Sequence, residues 1–164
     1  MPERSVAARL RALVEGGVEF IVVGGVAAVL NGASVDTFDV DIVHSRDSAD
    51  VNRLLAVLDS LDAISRLEPE RRLKPNATHL SGTGHVNLIT RYGPLDVLWT
   101  IGQNLAYEDL LAHSLQMEIG GGVQVRVLDL ETLIAVKETI DGEKDRAVLP
   151  ILLRTLEESK KRNQ

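Results

Sequence analysis

The chain is 164 residues long, 45% hydrophobic and 26% charged, with a formal net charge of −6. That length buries roughly 70% of the unfolded surface, enough for one domain with a real core, and the composition argues against wholesale disorder. Cysteine is absent, which excludes disulfide scaffolds, Cys-ligated zinc, iron–sulfur clusters and thiol nucleophiles, and the acidic balance argues against tight non-specific duplex binding.

Aromatic residues are only 3% of the chain, so the core must be Val, Leu, Ile and Ala. The histidines (His44, His79, His85, His113) lack the H-E-x-x-H spacing of a metalloprotease. No apolar run reaches the roughly 18 residues of a membrane span. Met1 to Ser5 lead into an amphipathic pattern, not into the apolar run of a signal peptide. A cytoplasmic protein is expected.

Residues 3–15 put Val6, Leu10, Leu13 and Val14 on one face, with Glu3, Arg4, Arg9 and Arg11 largely elsewhere, which predicts a helix stopped by Gly16-Gly17. The apolar run 18–23 predicts a buried strand. Gly24-Gly25 follows, and then a short helix, 26–30, ended by Asn31-Gly32. Residues 37–43 alternate, with Phe38, Val40 and Ile42 on one side and Asp39 and Asp41 on the other, as in a strand with one buried face. A helix capped at Asp47-Ser48 is expected over 48–61. Residues 65–84 read as a long, basic loop containing a short strand. Strands are expected at 86–90 and 95–99, around Tyr92-Gly93-Pro94, and a short helix at 107–113. Residues 115–119 and 123–128 flank Gly120-Gly121-Gly122 as a hairpin. Asp129 caps a helix that Asp141-Gly142 breaks, and a last helix runs over 145–157, with Asp145 as its N-cap and Pro150 within its first two turns. Residues 158–164 read as a frayed tail. With no repeat or obvious linker, residues 1–164 are expected to form a single domain.

Asp39-x-Asp41 is the most informative feature. Two carboxylates on one face of a strand have Cα atoms about 6.5–7 Å apart, repel one another and raise each other's pKa. A cation between them makes that arrangement favourable, and Mg²⁺ prefers one or two carboxylates together with substrate phosphates; the alternative is a polar strand face turned to water. Upstream, the strand–Gly24-Gly25–helix junction exposes backbone N–H groups suited to phosphate, or is a tight turn using glycine's backbone freedom. Downstream, Asp96 is the only charged residue in 94–99. If its strand pairs beside 37–43, Asp96 faces the same cleft. Three carboxylates can hold two metal ions for phosphoryl transfer.

Together, Gly24-Gly25, the Asp39-x-Asp41 pair after Thr37, and Asp96 on a later strand resemble the polymerase-β-like nucleotidyltransferase superfamily, and most of all its minimal bacterial, AbiEii-toxin-like branch. The stretch 129–137, followed by Gly142-Glu143-Lys144-Asp145-Arg146, is similar to that branch's closing segment. The resemblance covers about residues 18 to 157. It implies an α/β (α+β) fold, a twisted mixed sheet with helices mainly on one face and the cleft on the other. It implies Mg²⁺-dependent transfer of a nucleoside monophosphate from an NTP to a hydroxyl or phosphate acceptor, releasing pyrophosphate. Asp39 and Asp41 would bind the Mg²⁺ that carries the triphosphate. Asp96 would bind a second ion and help activate the acceptor. Gly24, Gly25 and Thr37 would border the phosphates, and Lys137 and Lys144 would neutralise their charge. The acceptor is open among tRNA, a protein side chain and a small molecule such as an aminoglycoside. No membrane is implied, and an antitoxin-type partner protein fits the branch.

Two positions differ from the family pattern. Gly25 stands where many members carry Ser, and Val35 where relatives often carry Arg. The missing cation would then come from elsewhere, Arg71, Arg72 or Lys74 in the long loop being the candidates. These differences motivate the alternative, a non-catalytic relative that binds nucleotide or a partner protein. Other constellations fit worse. Asp39-Val40-Asp41-Ile42-Val43 matches a D-x-D-x-V phosphatase opening, but 33–37 is not the apolar strand that motif requires. Gly24, Gly25 and Gly32 do not make G-x-G-x-x-G, and no G-x-S-x-G is present. Thr83 and His85 are expected in a flexible loop bordering the cleft, His44 at a surface strand end, and Trp99 in the core.

Overall fold

The computed structural model describes residues 4–139 and 143–163, with the backbone alone for 143–145. The break at Asp141-Gly142 and the position of the Lys144 side chain lie outside the described residues; Asp145, expected as the N-cap of the last helix, lies within that helix instead, because it begins at Glu143.

The elements in chain order are α1 (Val6–Glu15), β1 (Phe20–Val23), α2 (Gly24–Leu30), β2 (Val40–His44), α3 (Ser48–Ser60), β3 (Ile64–Ser65), α4 (Ala77–Ser81), β4 (His85–Thr90), β5 (Gly93–Leu98), α5 (Tyr107–Leu110), β6 (Ser114–Glu118), β7 (Gln124–Leu128), α6 (Leu130–Glu138) and α7 (Glu143–Arg162). The strands form one mixed seven-stranded sheet in the order β3-β4-β5-β2-β1-β7-β6. β1 runs antiparallel to β2 and parallel to β7, and β2 runs parallel to β5. The mixed α/β class agrees with the expectation.

Register separates the two faces of the sheet, because cross-strand partners share a face. Val40 pairs with Leu95, Ile42 with Val97, and Val22 with Ile42. All are buried, in a core that also takes Leu10 and Leu13 of α1 and Leu54 and Leu58 of α3. Asp41 pairs with Asp96, so both carboxylates project from the opposite face. α2 contacts β1, β2 and α6, and α6 packs on α7. The Asp129 side chain accepts from Thr132 N–H at 2.8 Å and caps α6 as expected. Asp47 stands at the N-cap of α3 but makes no side-chain cap bond.

Several local expectations need correction. β2 begins at Val40, so Phe38 precedes the strand and is 56% exposed, with its ring 5.8 Å from the Arg4 guanidinium carbon. His44 is buried, because the strand continues through it and pairs it with Phe20. Arg9 is fully buried on the helix face expected to be apolar. Trp99 is only partly buried, and the Arg46 guanidinium carbon lies 4.9 Å from its ring centre. Residues 65–84 are more ordered than a long loop. A 3₁₀ turn spans Pro69–Arg71, and α4 is capped by Asn76, which accepts from His79 N–H at 2.9 Å. Buried Leu80 anchors α4 near α3. α7 starts before and ends beyond the expected 145–157, reaching Arg162, which places Pro150 in its interior.

Candidate functional site

A single row of paired residues crosses the sheet and organises the site. Val23 of β1 is in register with Asp41 of β2, Asp41 with Asp96 of β5, and Asp96 with Asn87 of β4. Beyond the two-residue β3, the Arg66 N–H donates to the Asn87 carbonyl at 2.9 Å and extends the row by one place. Cation, amide, acid and acid therefore line up on neighbouring strands, and the row ends where β1 passes into Gly24.

Asp41 occupies the most unfavourable place. Burial pushes its carboxyl up from the ordinary 3.8 to about 7; the charge of Asp96, a hydrogen bond shared with it, and the charge of Asp39 add to the rise, and Lys137 opposes it. A half-buried pair of carboxylates on adjacent strands gains no packing advantage over apolar residues. Asp96 is 14% exposed. Arg66 Nη2 lies 2.9 Å from its Oδ1 and donates to Oδ2 at 3.2 Å. Aimed at Oδ2, that N–H leaves Oδ1 buried without a hydrogen bond. Asp39 sits just before β2 and is exposed.

Gly24 has φ +68°, a conformation that favours glycine, and a Cβ on it would come within 2.4 Å of Asp41 Oδ2. The carboxylate thus presses against the α2 backbone. A Cβ on Gly25 would lie 3.0 Å from both Cβ and Oγ1 of Thr37, so a serine there would crowd the threonine. Two cavities meet at Gly24, Asp41, Leu133 and Lys137. The smaller, about 130 Å³, also takes Gly25, Val35, Thr37 and Asp39 into its wall. The larger, about 380 Å³, adds His85, Thr100, Ile101 and Gly102. Asp96 stands on the far side of Asp41 from β1.

The fold therefore gathers Gly24, Gly25, Thr37, Asp39, Asp41 and Lys137 around adjoining cavities, with Asp96 beside Asp41. Two of the expected loop cations are paired elsewhere. Arg71 pairs with Glu68 at 2.8 Å, and Lys74 reaches Asp59 at 3.4 Å on the outer surface. From that stretch of chain the cation that reaches the acids is Arg66. Nothing local in the sequence marks it, since its role follows from the pairing of β3 with β4.

Arg9 is the second unforeseen residue. Its Nη1 donates to the carbonyl of Phe38 at 2.7 Å and to that of Pro94, and Nε donates to Ser5 O at 3.0 Å. It ties down the chain just before Asp39 and two residues before Asp96. Gly93 leaves room for it, since a Cβ there would lie 3.1 Å from the guanidinium carbon.

Among the described residues, no group of three or more His, Asp or Glu side chains stands close enough to hold a metal ion, and no helix is long and apolar enough to cross a membrane. No protein-family model matches the chain, and no curated protein matches it.

Proposed function

We propose that this protein is a Mg²⁺-dependent nucleotidyltransferase that moves a nucleoside monophosphate from an NTP to a hydroxyl or phosphate acceptor and releases pyrophosphate. The observation that carries the reading is the in-register pairing of Asp41 with Asp96 directly beside Gly24. A cytoplasmic location goes with it.

The donor set fits a hard divalent ion. Two carboxylates are held together at a cost that a cation would offset. Asp41 would hold the ion, with Asp39 at the rim and Asp96 paired beside it. When bound, such an ion screens phosphate charge and orients attacking and leaving oxygens. Asp41 must be ionised to serve, so protons compete with the metal below about pH 7. Lys137 places a positive charge in the field of Asp41 and in the walls of both cavities, where it can face phosphate oxygens. Gly24 and Gly25 keep side chains out of the narrow cavity, so that a phosphate can approach the backbone. The larger cavity is sized for a nucleoside, and His85 and Thr100 on its wall can orient the base or the acceptor.

The test is incubation with each labelled NTP and Mg²⁺, with total cell RNA and protein as acceptors. Label transfer and pyrophosphate release that vanish with Asp41→Asn support the reading; full activity in that variant rejects it. A second reading, a nucleotide- or partner-binding module, draws on Val35 in the wall of the small cavity and the tight fit of Gly25 against Thr37. Mg²⁺-dependent NTP binding without pyrophosphate release would favour that module.

A further inference from the structure

The Arg66–Asp96 contact has an unusual form. A guanidinium usually meets a carboxylate through two parallel N–H bonds from different nitrogens. Here one nitrogen, Nη2, spans both oxygens at 2.9 and 3.2 Å, the place where a chelated cation would sit, and Nη1 is buried without a hydrogen bond. The side chain is held from both ends, since the Arg66 N–H is bonded to the carbonyl of Asn87, the residue paired with Asp96. At 35% and 14% exposure the two partners are partly withdrawn from water, which strengthens their attraction over that of a surface pair.

We infer that Arg66 is a permanent counter-cation at Asp96, so that the site takes a single divalent ion, at Asp41, in place of two. The inference rests on the nucleotidyl-transfer reading for its metal. An arginine keeps its charge at every working pH. It therefore neutralises Asp96 whether or not metal is present and leaves Asp41, with Asp39 near it, as the acid that responds to metal. A second ion on Asp96 would have to displace the guanidinium or sit against it, at a repulsive cost in a low-dielectric site. Arg66 acts through Asp96 and is a positioning residue.

The experiment counts Mn²⁺ bound to the full chain by electron paramagnetic resonance, in magnesium-free buffer above the pH at which Asp41 ionises, with thermal unfolding recorded for each variant. One ion per chain is expected for the unaltered protein, two for Arg66→Met, and one for Arg66→Lys, which keeps the charge. Two ions on the unaltered protein overturn the inference and leave the transfer reading standing. One ion on a natively folded Arg66→Met reduces the contact to a structural ion pair. No bound ion on the unaltered protein overturns the inference and the transfer reading together. If Arg66→Met does not fold, the count on the unaltered chain and on Arg66→Lys still decides, since two ions on either rejects the inference.

Discussion

Two carboxylates are withdrawn from water at opposite ends of the central strands, and the fold treats them differently. Asp50, in the first turn of α3, is fully buried. It accepts the Glu19 N–H at 2.7 Å and lies 3.4 Å from Arg53 Nη2. Burial raises its carboxyl pKa, and the Glu19 N–H and Arg53 pull it back. Asp41 is raised by burial too, but its neighbours add to the rise, because they are Asp96 and Asp39. One acid has a backbone donor and a guanidinium on one oxygen, keeps the other oxygen without a hydrogen bond, and joins a loop to a helix. The other is set against its own kind beside two cavities. The neighbours of Asp50 offset part of its burial cost, whereas those of Asp41 add to it.

The largest expected effect tests the ligand side of this contrast. Asp41→Asn should lower nucleotidyl transfer at least about a hundredfold, measured as pyrophosphate release, while its melting temperature stays equal or rises. Asp50→Ala should do the reverse. It removes the acceptor of the Glu19 N–H and the buried acid from the start of α3, at about 3 kcal/mol, read by denaturant unfolding, with transfer unchanged in the folded fraction. If both variants shifted stability in the same direction, the contrast would collapse.

The pH dependence sharpens it. Asp41 is protonated more readily folded than unfolded, so its charge costs stability. That cost is absent below 3.8, grows as pH rises, and is complete above about 7. In metal-free buffer the protein should therefore lose on the order of 4 kcal/mol across that window through this group, and Asp41→Asn should remove the loss. Adding Mg²⁺ above the window should restore stability to the unaltered chain and not to the variant. The smallest expected effect concerns the Gly24-Gly25 turn. Gly25→Ser must push Thr37 aside by a few tenths of an ångström and should cost about 1 kcal/mol, seen as a lower unfolding midpoint.

Much of the arrangement is legible in the residues. Gly24-Gly25 after an apolar run, the alternation around Asp39 and Asp41, and the isolated Asp96 identify β1, β2 and β5, and the parallel pairing of β2 with β5 brings Asp41 and Asp96 side by side. What eludes a reading of the sequence depends on contacts distant along the chain. Arg9 looks like a polar-face residue because its partners are backbone carbonyls, which leave no trace in a side-chain pattern. Arg66 lies in a stretch with little periodicity, and only the β3–β4 register aims it at Asp96. Phe38 fits the alternation of β2, but the strand has not begun there, and the carbonyl of Phe38 is taken by Arg9.

The grip of Arg9 also bears on how the chain assembles. Its two distant acceptors lie 29 and 85 residues further on. During synthesis the first helix must therefore wait, with its cation still hydrated, until Pro94 has emerged and β5 can settle against β2. Lys137 emerges later still. The acids are thus brought into register only when most of the polypeptide has been made, and a nascent fragment ending before β5 would carry Asp39 and Asp41 without the frame that makes them useful.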